Sequence, residues 1–401
     1  MVNPKTLKGF RDFLPLQMRR RQYVINTLKK VFESFGFEPL ETPALEYEEI
    51  LLGKYGGEGD KLMYRFTDNG GRKVALRYDQ TVPLARVVAQ YGNQLPTPFK
   101  RYQIQPVWRA ENTQKGRFRE FLQCDIDTVG TSSLYTDAEI LAIVYESFKK
   151  LNLDVKIKIN DRSIFEGVNP IYLPTIDKLN KIGKEGVIKE LKDKGELNPE
   201  EIFKKVSSMI PPENIVNIMR TFQEMGYSVN ILKFDNTLVR GLNYYTGIIM
   251  EVVLASDLNS LSLGGGGRYD NLIGMFTGQD IPAVGFAFGF DRIMEAMDQL
   301  NLFPEGLTTA KVLVTVFSPD LLDKSTKLSS NLRSQNINTE LWLDPNAKLE
   351  KQLKIADQKG IPYVVIIGPE EASSNKLTLK SLKTKEQQPL TLDEAIQKLR
   401  S

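Results

Sequence analysis

The chain has 401 residues, 41% of them hydrophobic and 26% charged, with a net charge of +3; that is too long for one ordinary core, and two or three globular domains are expected. It contains no histidine and a single cysteine, Cys124, which excludes His-based triads, His general bases, His metal ligands and an internal disulfide framework. The mild positive charge permits a polyanionic partner without arguing for one.

The first residues, MVNPKTLKGFRDFLP, carry no apolar stretch after their basic residues, so no secretory signal is read. No apolar run approaches ~18 residues, so no membrane span is expected, and the cytoplasm is the default. Gln17 to Gly36 predicts an amphipathic helix with Val24, Leu28, Val31, Phe32 and Phe35 on one face and Gly36 placed to end it. Phe37–Pro43 then reads as an extended edge segment. Met63–Thr67 and Val74–Arg77 flank a hairpin signal at Asp68–Gly71, and Phe99–Trp108 and Phe121–Val129 are further strands. Thr136–Leu151 predicts a helix. This order suggests an α+β domain built on an antiparallel sheet.

From about 170 to 226 the chain turns Lys/Glu-rich with helical spacing, punctuated by Pro174, Pro199, Pro211 and Pro212, and reads as a small helical insertion. Strand-like sequence resumes at Tyr227 and covers Ile248–Leu254, Gly264–Gly267 reads as a glycine-rich turn, and Asp291–Asp298 as the start of a helix. Beyond residue 309, strands at Lys311–Phe317, Thr339–Leu343 and Tyr363–Ile367 alternate with helices at Ser318–Ser334 and Ala347–Gly360. They predict a small α/β domain with a mostly parallel sheet. The expected boundaries are 1–308, with the insertion inside, and 309–401.

The window Val107–Gln123 places Arg109, Lys115, Arg117 and Arg119 within eleven residues, around a turn-prone Asn112–Gly116. On a strand–loop–strand element these cations can face one cleft and grip a polyphosphate, since a guanidinium offers planar, bidentate donors that stay charged. A solvated basic hairpin tip is the other reading of the same charges. The succession Arg-x-Glu, loop, Arg, Phe resembles motif 2 of class II aminoacyl-tRNA synthetases. The resemblance implies that Arg109 holds the α-phosphate of ATP, Glu111 accepts from the adenine amino group, Arg117 meets the terminal phosphates and Phe121 stacks on adenine. Ile281–Ile293, with Gly285 and Gly289, resembles motif 3 and implies that Arg292 reaches the γ-phosphate. Phe37–Pro43 resembles motif 1, the dimer-forming element, which implies a homodimer.

Leu238–Gly247 resembles the signature LVRGLDYYTG of histidyl-tRNA synthetases, with Asn243 in place of Asp. The resemblance places Arg240 on the α-phosphate opposite Arg109, where other class II enzymes use a metal ion. No metal held by the protein is then implied, only the Mg2+ that accompanies ATP. A structural Arg240 paired with a carboxylate such as Glu251 is the alternative. Ala75–Pro83 resembles LRYDLTVP, with Gln80 as a departure; Asp79 and Thr81, at a strand end, would anchor the α-ammonium group, or else cap a turn before Pro83. Gln123 and Asp127 share a strand face. The family match gives Gln123 to the ammonium or the carboxylate end of histidine and Asp127 to the imidazole. Tyr244 and Tyr245 belong to the same pocket, with Tyr245 on the wall opposite. Gly264–Asp270 resembles the second histidine signature and implies closure of the pocket by backbone.

Residues 309–401, with Lys348, Lys351, Lys354 and Lys359, resemble the anticodon-binding domain of class IIa synthetases. Gln114 matches a position that reads the acceptor end of histidine tRNA, and the insertion is expected to clasp the acceptor arm. Together these resemblances imply activation of histidine by ATP and its transfer to the 3′ end of histidine tRNA. The rival is the regulatory subunit of ATP phosphoribosyltransferase, which shares the catalytic-like domain without charging tRNA.

Overall fold

The computed structural model describes residues 2–52, 56–112, 117–239, 245–258 and 260–400. The chain divides into two compact units, Met1–Phe13 with Arg21–Leu302, and Leu14–Arg20 with Phe303–Ser401.

The helix Pro15–Ser34 buries Val24, Leu28, Val31 and Phe32, and Gly36, at φ 78°, reverses the chain in a conformation open to glycine. Phe35 stays half-buried while Phe37 enters the core. Strands β1 (Glu38–Pro39), β2 (Leu45–Tyr47), β3 (Arg65–Thr67) and β4 (Lys73–Leu76) follow. The expected hairpin forms, its turn held by Asp68, whose carboxylate accepts from the backbone N–H of Gly70 and Arg72. It pairs with β2 in a separate three-stranded sheet instead of joining the main one. A helix absent from the sequence reading, Thr81–Tyr91, comes next. Pro83 is tolerated in its first turn, and Val82, Leu84, Ala85, Val87 and Val88 bury at helical spacing.

Strands β5 (Phe99–Trp108) and β6 (Glu120–Val129) pair antiparallel along their whole length. The helix Leu134–Lys150 starts at Ser133, whose hydroxyl accepts from the Tyr135 N–H. β7 (Val155–Asp161) was not anticipated, although Val155, Ile157 and Ile159 alternate with lysines. Helices Leu179–Asp193, Pro199–Ser207 and Glu213–Glu224 occupy the stretch read as an insertion. Only Leu232–Phe234 of the sequence after Tyr227 is a strand before the signature, β8. β9 (Ile248–Leu254), β10 (Gly264–Arg268), β11 (Ala283–Phe288) and the helix Phe290–Gln299 complete the unit.

The main sheet has the order β1-β5-β6-β11-β10-β9-β7-β8, antiparallel except for β1 on β5 and β7 on β8. Its register sorts side chains into two faces. Tyr102, Cys124, Ile126, Phe286, Phe288, Met250, Val252 and Ile157 point one way and are buried. On that face Phe288 meets Phe32 of the first helix at 5.4 Å and Phe148 of the helix Leu134–Lys150 at 5.8 Å. The opposite face carries Arg101, Gln103, Gln123, Asp125, Asp127, Glu251 and Lys158.

Gly264–Gly267 corrects the sequence reading: it is the buried central strand β10, not a turn. Close approach explains its composition, since a Cβ on Gly266 would lie 2.0 Å from the Gly285 carbonyl oxygen.

In the second unit β12 (Val312–Val314), β13 (Thr339–Leu341) and β14 (Tyr363–Ile366) are parallel neighbours, and β15 (Leu377–Ser381) and β16 (Gln387–Leu390) add antiparallel strands at one edge. Val312, Val314, Leu332, Val365 and Leu379 form one of its cores. Gln352 is fully buried and satisfied by the Val316 N–H and carbonyl.

Candidate active site

The polar face of the sheet opens into a cavity of about 450 Å³. Asp79, Thr81, Arg109, Glu111, Arg117, Phe121, Gln123, Asp127, Tyr245 and Arg292 all line it. Arg240, Asn243, Tyr244 and Gln114 lie outside the described residues.

Arg109 ends the outward course of the hairpin. Its Nε donates to the Tyr78 carbonyl at 3.1 Å, and its guanidinium lies 4.5 Å from the Tyr78 ring centre and 5.1 Å from that of Phe121. Arg117 is 3.6 Å from Glu111, and Arg119 donates to the Glu111 carbonyl, so both sides of the loop meet at Glu111. Arg292 sits in the first turn of the helix Phe290–Gln299 and donates to the Ser262 carbonyl at 2.7 Å. Its neighbour Asp291 receives Arg11 at 2.8 Å and Arg21 at 2.9 Å. Arg11 also stacks on Phe118, 3.2 Å from the ring centre, and the Gly9 carbonyl accepts from the Arg119 N–H. The N-terminal segment thereby fastens the basic hairpin to the start of that helix.

Asp79 and Thr81 do not sit on a strand end. Thr81 is the first residue of the helix Thr81–Tyr91, and the Asp79 carboxylate accepts from the Val82 N–H at 3.1 Å. The capping alternative describes this contact, and Asp79 still lines the cavity. Gln80, the departure from the family pattern, is fully buried and donates its amide N–H to the Gln105 and Gln123 carbonyls. It ties the loop to β5 and β6 by hydrogen bonds.

Asp127 forms a buried ion pair with Arg101 at 2.6 Å and accepts from the Tyr269 hydroxyl. Burial pushes its carboxyl up to about 6 against the pull of Arg101 and Tyr269. A Cβ on Gly285, its cross-strand partner, would fall 1.9 Å from Asp127 Oδ1. Tyr269 corrects the expectation that the second signature closes the pocket by backbone alone, because its ring lines the cavity. Arg268 beside it is anchored on Asp137 at 2.7 Å.

Asp125, missed by the sequence reading, lies on the same face of β6 between Gln123 and Asp127. The alternation that pairs 123 with 127 necessarily includes 125. Burial pushes its carboxyl up to about 8, with Arg101 opposing. The arginines that hold Asp127 and Asp291, Arg101 with Arg11 and Arg21, were likewise not singled out, and nothing in local sequence marks them.

A cleft on an antiparallel sheet, with a basic strand–loop–strand on one side and a glycine strand as floor, defines the catalytic architecture of class II aminoacyl-tRNA synthetases. The comparisons narrow the class. A family model described as histidyl-tRNA synthetase matches residues 9–172 and 176–293, and one described as anticodon binding domain matches residues 311–401. The histidine–tRNA ligase of Cytophaga hutchinsonii is 39% identical, with all of both chains covered, and that of Christiangramia forsetii is 40% identical over 96% of this chain and 97% of its own. The crystal structure of histidyl-tRNA synthetase from Nostoc sp. PCC 7120 superposes with a TM-score of 0.88 at 31% identity, covering 100% of this chain and 99% of that one. The chain belongs to the histidyl-tRNA synthetase family.

A Bacillus halodurans structure described as an ATP phosphoribosyltransferase regulatory subunit/histidyl-tRNA synthetase has a TM-score of 0.71 at 21% identity, covers 88% of this chain and 97% of its own, and shows a shared fold alone.

Proposed function

We propose that the chain is a histidine–tRNA ligase. A carboxylate oxygen of histidine attacks the α-phosphorus of ATP, the bond to the β-phosphate breaks, and histidyl-adenylate and pyrophosphate form. A terminal hydroxyl of histidine tRNA then attacks the carbonyl carbon, and AMP leaves. The observation that carries this reading is the gathering, in one cavity of a chain of this family, of the cationic residues Arg109, Arg117 and Arg292 with the buried acceptors Gln123, Asp127 and Asp79.

In this reading Arg109 and Arg240 hold the α-phosphate from two sides and stabilise the charge that grows on it. Pre-positioned guanidinium groups in a water-poor cleft act there without reorganisation. The stacking of Arg109 on Tyr78 and Phe121 supports its pre-positioning. Glu111 takes the adenine amino group, Phe121 stacks on the ring, and Arg117 and Arg292 meet the terminal phosphates. Asp79, Thr81 and Gln123 hold the amino-acid end. Asp127 and Tyr245 take the two imidazole nitrogens, and Tyr244 belongs to the same pocket. A site that pairs both nitrogens rejects side chains lacking them by leaving buried groups unpaired. Mg2+ enters this reading bound to ATP.

Residues 311–401 bind the anticodon region, Gln114 reads the acceptor end, and the helices between 170 and 226 clasp the acceptor arm. The domain division at 308/309 follows the same reading. The enzyme works in the cytoplasm as a homodimer joined through the first helix and β1. Among the described residues no helix is long and apolar enough to cross a membrane.

Transfer of labelled histidine to histidine tRNA tests this reading. The wild-type protein is expected to charge the tRNA, and folded Arg240→Ala to lose adenylate formation by orders of magnitude. Histidine binding without charging or adenylate formation would make the chain a sensor of the regulatory type.

A further inference from the structure

Asp125 has no part in the roles assigned above, yet it forms a unit with Gln123. Gln123 donates its Nε2–H to Asp125 Oδ2 at 2.7 Å. Asp125 Oδ1 and Gln123 Oε1 have no hydrogen-bond partner among the described residues. Asp125 is 3% exposed and Gln123 8%, and both line the cavity. Among the described residues, the groups that face Asp125 come from several elements, and Asp127 on β6 itself adds a negative charge. β5 presents Gln103 directly opposite, with Arg101 one step along the same face and committed to Asp127; β11 presents Ala287; Asp79 adds a negative charge from the loop before the helix Thr81–Tyr91. Glu251 of β9 lines the same cavity.

A buried acceptor without a donor, such as Gln123 Oε1, costs free energy until one arrives, and a charged donor makes the stronger bonds. We propose that Asp125 is a specificity-determining residue that orients the Gln123 amide and, together with its oxygen, receives the α-ammonium group of the amino-acid substrate. The proposal rests on the histidine reading and resolves what that reading leaves open. With one N–H engaged by Asp125, Gln123 keeps its amide oxygen as an unmet acceptor, and an ammonium group supplies the donor that it lacks. Burial holds a proton on the unliganded Asp125 at neutral pH. The arriving ammonium favours the carboxylate, and the proton passes to solvent.

The test is calorimetric binding of histidine and of its desamino analogue, imidazolepropionate, to the full-length protein near neutral pH in two buffers of different ionisation enthalpy. Wild-type protein is expected to prefer histidine strongly, and to release roughly one proton with histidine that it does not release with the analogue. Asp125→Asn is expected to lose tenfold or more of that preference and the extra proton, with the KM for ATP unchanged. An unchanged preference in folded Asp125→Asn overturns the proposal. If that variant does not fold, equal proton release by the two ligands on wild-type protein overturns it instead. Absence of histidine binding to wild-type protein contradicts the functional reading, which is a separate outcome.

Discussion

The two faces of the main sheet are built from the same strands and obey opposite rules. On the helix-covered face, β5, β6 and β11 contribute the buried Tyr102, Cys124, Ile126, Phe286 and Phe288, with Phe288 packed against Phe32 and Phe148. One residue along, the same strands present Arg101, Gln103, Gln123, Asp125 and Asp127, all nearly excluded from solvent. The first face lowers free energy by removing apolar area from water. The second raises it, because burying charge costs more than an ion pair such as Arg101–Asp127 returns. The contrast teaches where function resides: the buried polar groups with unmet bonds are those that a ligand completes.

The largest effect on stability is expected from the apolar face. Phe32→Ala should remove about 3–5 kcal/mol, read as a lowered denaturation midpoint, while KM for histidine and ATP stays near wild type in the folded fraction. A comparable rise in either KM would break the separation of the two faces. On the polar face, Gly285→Ala drives a methyl into Asp127 Oδ1. Misplacing a contacting group by an ångström costs about 10²-fold in rate, so histidine-dependent adenylation should fall by that order.

A smaller effect comes from pH. The folded carboxyl of Asp125 stands near 8 against an ordinary value of 3.8, so the folded state holds a proton that the unfolded state gives up across this range. Stability from this group is therefore fully present below about pH 4 and lost as pH rises through about 8. Unliganded wild-type protein should lose melting temperature from pH 6 to 8, and Asp125→Asn should show a flatter profile; parallel profiles would contradict the assignment. The smallest effect belongs to the tether at the cleft edge. Arg11→Ala removes the stack on Phe118 and one ion-pair partner of Asp291, and should raise KM for ATP by up to about tenfold. KM for histidine should not change, and a parallel rise in both would show general loosening.

Much of the cleft was legible because strand alternation and turn chemistry are local. The β5–β6 hairpin was read to within a residue, and its period placed Gln123 and Asp127 on one face. Asp125 was equally available from that period and was passed over because no family signature marks it. β10 was misread because glycine carries no side-chain alternation; only the neighbours that would clash with a Cβ, such as the Gly285 carbonyl, reveal a strand. The helix Thr81–Tyr91 was hidden by Pro83, which a first helical turn tolerates. The long-range partners Arg101–Asp127, Tyr269–Asp127 and Arg11–Asp291 depend on tertiary placement, which local spacing does not encode.

The most direct measurement is amino-acid-dependent exchange of pyrophosphate into ATP, run with each of the twenty amino acids. Exchange with histidine alone is the predicted result. Exchange with a different amino acid, or none with any despite histidine binding, would contradict the assignment of the polar face as a histidine-activating site.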